Sequence, residues 1–176
     1  MGGVDKGLQH LKGRPFIEWV VERLEPQVDE IIINANQHID RYSQYGYRVA
    51  SDAIRGFAGP LAGLHAGLTV ASTPQLVTVP CDSPFLPLDL VTRLAQARED
   101  ADADLAVAKT FDQAHPVFAL MRVEVLPHLT NFLAGGGRKI DAWYATLKIV
   151  ETNFDDQAAA FTNVNTRDEL DALERR

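Results

Sequence analysis

Cysteine is almost absent: a single residue, Cys81, occurs in 176, which excludes an internal disulfide framework and any multi-cysteine zinc site. Long apolar runs are missing too, and none approaches the roughly 18 residues of a membrane span. The five histidines include no HExxH and no paired spacing that would hold zinc. There is no excess of positive charge. Lys+Arg 17 against Asp+Glu 24 leaves a net charge of -7, which argues against a protein whose main task is to coat nucleic acid, although a local basic site stays open. The opening Met1-Gly2-Gly3-Val4-Asp5-Lys6 is polar and glycine-rich, unlike a signal peptide. Low-complexity segments, fixed-period repeats and long linkers are likewise missing. Together these absences predict a soluble, cytoplasmic protein with one domain over residues 1–176 and no membrane or nucleic-acid partner.

What is present is an alternation of two kinds of apolar segment. After Pro15, the residues Phe16, Ile17, Val20, Val21 and Leu24 form one helical stripe, ended by Pro26. Val28 to Ile33 is a β-branched run that reads as a buried strand. Tyr47 to Ser51 and Gln75 to Pro80 read as further strands, with Leu61 to Ser72 as a helix between them. Pro87 opens a helix carrying Leu90, Val91, Leu94 and Ala95 on one face. Leu105 to Ala108 and Val117 to Met121 are expected strands, Val123 to Leu133 an expected helix, and Thr166 with Glu169 a capping box. Strands alternating with helices predict an α/β three-layer sandwich around a mostly parallel central sheet. In such folds ligands bind beyond the carboxyl ends of the strands. The segments expected there are Asn34-Ala35-Asn36, Ser51-Asp52, Pro80-Cys81-Asp82-Ser83-Pro84 and Asn163-Val164-Asn165-Thr166.

Asp82 is the sharpest single residue. Pro80 and Pro84 fix φ on either side, so the carboxylate is presented in a set direction after a buried run. A hard oxygen ligand there suits Mg²⁺ when water and phosphate oxygens complete the coordination; a turn or helix cap is the competing account. Gly2-Gly3-Val4-Asp5-Lys6-Gly7 is either a phosphate-cradling loop with a mobile ammonium or a plain polar terminus. Gly59-Pro60-Leu61-Ala62-Gly63 is either a close approach of backbone to a nucleotide or a packed turn. Gly135-Gly136-Gly137-Arg138-Lys139 either sets two cations on an anionic substrate or starts a solvated helix. Cys81 has no evident His partner and reads as a small buried residue rather than a nucleophile.

Four of these segments in order, Met1-Gly2-Gly3-Val4-Asp5-Lys6-Gly7-Leu8, Gly59-Pro60-Leu61-Ala62-Gly63, Pro80-Cys81-Asp82-Ser83-Pro84 and Asn163-Val164-Asn165-Thr166, resemble the molybdenum cofactor guanylyltransferase family over essentially the whole chain. The resemblance implies a Rossmann-like nucleotidyltransferase fold. It implies transfer of GMP from GTP to molybdopterin, forming the guanine dinucleotide cofactor and releasing pyrophosphate. Lys6 and Asp82 are then the expected catalytic residues, with Asp82 the ligand of Mg²⁺. Lys6, Asn34, Asp52 and Asp82 are expected to bind GTP. Asn163 and Asn165 would line the active site, and Arg138 and Lys139 would face the pterin. Molybdenum-insertion proteins and acceptor molybdoenzymes are the implied protein partners.

The family opens with a strand and a Leu-Ala-Gly-Gly loop ahead of the Met-Gly-Gly segment. The expectation is therefore that the first strand and Gly-rich loop are missing here, so guanine selectivity rests on the remaining motifs. Two alternatives follow: a cytidylyltransferase or other nucleotidyltransferase of the same fold, and a non-catalytic nucleotide-binding paralogue.

Overall fold

The computed structural model describes residues 5–54 and 59–162. Gly2, Gly3, Asn163, Asn165 and the Thr166 capping box lie outside the described residues.

A 3-10 turn at Lys6–Leu8 leads into a short antiparallel ribbon of β1 (His10–Leu11) and β2 (Arg14–Pro15). Pro15 caps α1 (Phe16–Leu24), which buries Phe16, Ile17, Val20 and Leu24 of the predicted stripe and leaves Val21 half-buried. Next come β3 (Ile32–Asn34), the short α2 (Ile39–Ser43) and β4 (Arg48–Ala50), with β3 and β4 parallel. Helix α3 (Pro60–Val70) precedes β5 (Gln75–Thr78), and α4 (Leu90–Asp100) precedes the hairpin of β6 (Leu105–Thr110) and β7 (Gln113–Arg122). Helices α5 (Leu126–Ala134) and α6 (Ile140–Tyr144), strand β8 (Ile149–Asn153) and a 3-10 segment at Asp155–Phe161 complete the described order.

The sandwich is visible in the alternation along β6. Leu105 and Val107 pack with Leu61, Leu64 and Leu68 of α3, Leu129 of α5 and Trp143 of α6. Ala106 and Ala108 face the other way, against Val20 of α1 and Leu90 and Leu94 of α4. Successive strand residues point to opposite faces, so one strand feeds two cores and the sheet lies between two helical layers. Each large apolar side chain buried this way contributes about 1.5–3 kcal/mol.

The sheet order is β5-β7-β6-β8. Strands β5, β6 and β8 run in one direction, as a mostly parallel sheet requires, but β7 is reversed and pairs antiparallel with both β5 and β6. The hairpin accounts for this: Phe111 and Asp112 join β6 to β7 directly, and no crossover helix can fit in two residues. One further expectation is corrected, and one strand has no counterpart in the sequence reading. The run Val28 to Ile33 enters a ladder only from Ile32, because β4 offers three residues for pairing. Strand β8 has no apolar run to announce it; it is held to β6 by its ladder and by Lys109 Nζ on Glu151 Oε2 at 2.6 Å.

Among the described residues the β3–β4 pair shares no ladder with the four-stranded sheet. Between them lies an apolar cavity of about 720 Å³, lined by Ile17, Val21, Ile31, Ile33, Leu76 and Val77 among others.

Candidate active site

Asp82 follows β5 by four residues, beyond its carboxyl end. Pro80 removes a ladder donor, so the strand stops and the chain turns. Asp82 is buried, and its Oδ2 accepts a hydrogen bond from Lys6 Nζ at 2.8 Å. An ion pair of this length is charge-assisted, and the ammonium offsets the cost of burying the carboxylate. Lys6 itself begins the 3-10 turn, in which Leu8 N donates to Asp5 O at 3.2 Å and Gln9 N to Lys6 O at 3.1 Å.

A second group forms at the ends of β3 and β4. Asn34 Nδ2 donates to Asp52 Oδ1 at 3.0 Å and Asn36 Nδ2 to Asp52 Oδ2 at 2.8 Å, while Asp52 N donates back to Asn36 Oδ1 at 2.9 Å. Ala35 N on Ala50 O at 2.9 Å carries the parallel pairing past the strands and sets the spacing of the two asparagines. Both oxygens of Asp52 are thus engaged in an exposed, pre-set arrangement.

Helix α3 closes this side. Gly59 caps it at φ 57° and ψ -142°, a conformation that side chains avoid. One turn on, a Cβ at Gly63 would stand 2.5 Å from Asn34 Oδ1, so only glycine leaves that amide its place. Gly59, Pro60 and Gly63 border the same cavity wall as Asn34, Asn36 and Asp52.

A smaller pocket of about 370 Å³ is bordered by Asn34 and Asn36 of the second group, by Asp5 and Cys81, the chain neighbours of Lys6 and Asp82, and by Gln37 and Tyr42. Burial, with the charges of Asp82 and Asp5, pushes the Cys81 thiol up to about 11, so it stays protonated at neutral pH. It does not act as a ready nucleophile. Arg138 lies elsewhere. Its guanidinium donates to Leu133 O at 2.9 Å and Gly137 O at 2.6 Å, which ties it to the end of α5. Lys139 is the exposed residue before α6. No hydrogen bond among the described residues joins Arg138 or Lys139 to either group.

The donor set bears on Mg²⁺. Among the described residues no cluster of three or more His, Cys, Asp or Glu could enclose a metal. One buried carboxylate at a strand end does fit a cation that keeps water and takes phosphate oxygens. The residues fit such an ion at Asp82, not an all-protein cage.

Asn36 and Asp5 also border the pocket, within segments that the sequence marks, whereas Tyr42 lies in none of them. Asn36 had a local signal, since residues two apart project to one side of an extended segment. Asp5 and Tyr42 are 37 residues apart, and no spacing rule links them.

Residues 1–149 match the family model described as the MobA-like NTP transferase domain. The chain is 52% identical over 181 residues to the molybdenum cofactor guanylyltransferase of Cupriavidus taiwanensis, covering 100% of this chain and 90% of that protein. Among solved structures, the molybdopterin-guanine dinucleotide biosynthesis protein A of Archaeoglobus fulgidus is similar with a TM-score of 0.81 and 26% identity, over 98% of this chain and 90% of the other. The 2-C-methyl-D-erythritol 4-phosphate cytidylyltransferase of Thermus thermophilus shares the fold, with a TM-score of 0.73 at 14% identity over 97% and 92% of the two chains. With strand ends, glycine-capped helix and paired Lys6 and Asp82 in this arrangement, and with relatives matching along its whole length, the chain belongs to the MobA-like NTP transferase family and groups with its molybdenum cofactor guanylyltransferases.

Proposed function

We propose that this chain transfers GMP from GTP to molybdopterin and releases pyrophosphate. The observation that carries the reading is the pairing of Lys6 with buried Asp82 beyond β5, together with the network of Asn34, Asn36 and Asp52 at the ends of β3 and β4. The phosphate of molybdopterin attacks the α-phosphorus of GTP; one P–O bond forms, and the bond to the pyrophosphate oxygen breaks. Both reactants are anions and the attacking oxygen is already ionised at neutral pH, so the site must supply positive charge rather than a covalent nucleophile or strong base. The protonated Cys81 thiol agrees with that requirement.

In this reading Lys6 binds the outer phosphates with its ammonium, and Asn34, Asn36 and Asp52 hold the nucleoside. Asp82 would hold Mg²⁺, which when bound supplies charge to the phosphate oxygens. Asp82 also orients Lys6 before the nucleotide arrives, so less order must be imposed on binding. Asn163 and Asn165 would complete the nucleotide site, and Arg138 and Lys139 would meet the pterin by swinging away from the α5 end. The reaction belongs in the cytoplasm, between molybdenum-insertion proteins and acceptor molybdoenzymes.

The test is pyrophosphate release by the purified chain with GTP, molybdopterin and Mg²⁺, with CTP and EDTA as controls. Release with GTP, lost on chelation and much slower with CTP, is the expected result. Release with CTP alone overturns the guanine assignment. Nucleotide binding without any release overturns the transferase reading.

A further inference from the structure

The turn that carries Lys6 is fastened from outside by a residue pair that the phosphate chemistry does not itself use. Asp5 precedes Lys6, and both oxygens of its carboxylate are engaged. Tyr42 Oη donates to Asp5 Oδ1 at 2.5 Å, and His38 Nδ1 lies 3.1 Å from Asp5 Oδ2. Tyr42 is 4% exposed, and burial raises its phenol well above the usual range, so it remains a donor at every working pH. The same hydroxyl also approaches the turn closely: a Cβ at Gly7 would come 2.6 Å from the Tyr42 oxygen. The other partner is held as firmly. His38 adopts φ 52° as the cap of α2, and its carbonyl accepts from Arg41 N at 2.9 Å and Tyr42 N at 3.1 Å.

Helix α2 follows Asn34 and Asn36 directly in the chain, so one short segment reaches both groups of the site. A lysine on a free turn would sample many directions; fixing its neighbour's carboxylate and packing on the next glycine narrows that range. We infer that Tyr42 and His38 are positioning residues which, through Asp5, hold the Lys6 turn in register with Asp82 and with the asparagines at the end of β3. The inference rests on the reading of Lys6 as a ligand of the outer phosphates of GTP.

The test uses Tyr42→Phe, which deletes the hydroxyl and keeps the ring, and His38→Asn, since asparagine tolerates a left-handed backbone. Amide exchange without nucleotide reads the turn itself: Leu8 and Gln9 should exchange at least several-fold faster in Tyr42→Phe, while the thermal midpoint moves little. Unchanged exchange at those amides in both variants overturns the inference whatever the chain binds. The preference for GTP over GMP reads the consequence. Loss of a hydrogen bond to a charged group corresponds to roughly tenfold or more, so that preference should fall about tenfold in Tyr42→Phe. In a Lys6→Ala background the same change should have no further effect, because coupled residues are not additive. Equal losses in both backgrounds mean a merely structural role and overturn positioning. If Lys6→Ala alone leaves the preference untouched, the phosphate reading of Lys6 fails, and the exchange result still decides whether Tyr42 holds the turn.

Discussion

Lys6 and Asp82 are 76 residues apart in the chain, yet the Lys6 ammonium sits 2.8 Å from the Asp82 carboxylate. The carboxylate side chain is 8% exposed and the lysine 42%, so the pair has one dry end and one wet end. A ligand arriving from solvent meets the ammonium first. Asp82→Ala should leave the fold nearly intact and lower guanylyl transfer by about 10²–10³, the usual loss when one charge-stabilising group is removed. Steady-state pyrophosphate release, with the thermal midpoint as a control for folding, checks this; activity within a few-fold of the native chain sinks the assignment.

Lys6→Ala should weaken GTP binding more than GMP binding, because the ammonium is expected on the outer phosphates. Lys6→Arg should not restore it fully, since a planar guanidinium cannot take the place of a compact charge beside Asp82. Titration calorimetry with both nucleotides gives the comparison, and equal losses count against this placement.

Gly63→Ala separates the site from the fold. Alanine favours an interior helical position over glycine by about 1 kcal/mol, but its Cβ would meet Asn34 Oδ1 at 2.5 Å. The amide must swing away, and Asp52 loses the donor at 3.0 Å. Nucleotide affinity should drop several-fold without loss of denaturant midpoint. A variant that binds as well as the native chain would show that Asn34 can shift at no cost.

Cys81 should resist alkylation. With its thiol pushed up to about 11, little thiolate exists at pH 7, and reaction with iodoacetamide should accelerate steadily as pH rises past 9. Mass spectrometry of the labelled chain follows it. Fast labelling at pH 7 would contradict the raised thiol, and Cys81→Ser should retain transfer because no step uses sulfur.

His115 makes stability depend on pH. Its imidazole lies 2.7 Å from Thr110 Oγ1 and stacks on Phe161 with ring centres 4.8 Å apart. Burial holds it below the usual 6.5. The unfolded chain therefore binds more protons than the folded one near that pH, and stability rises with pH. The contribution is fully present above about pH 6.5 and is lost as pH falls through the lowered folded value. Asp155 and Asp156 are also lowered, so their contributions fade only below about pH 4. Urea midpoints between pH 7 and 5 should fall more steeply for the native chain than for His115→Gln; parallel slopes would remove His115 as the cause.

The amino-acid sequence by itself determined the alternation of strands and helices, because apolar period and proline placement are local properties. It set α1 between Pro15 and Pro26, ended β5 near Pro80, and thereby put Asn34, Asp52 and Asp82 at or just past strand ends, where an α/β sheet presents polar groups. Other features came only from the tertiary structure. The direction of β7 follows from a two-residue connection, and β8 is an edge strand recognisable only by its partner β6. Arg138 had cationic character enough to suggest a ligand, yet the carbonyls at the end of α5 claim it first. The links from Lys6 to Asp82 and from Asp5 to Tyr42 join residues tens of positions apart. Such pairs depend on where the sheet and its loops bring the backbone, and no spacing along one chain carries that information.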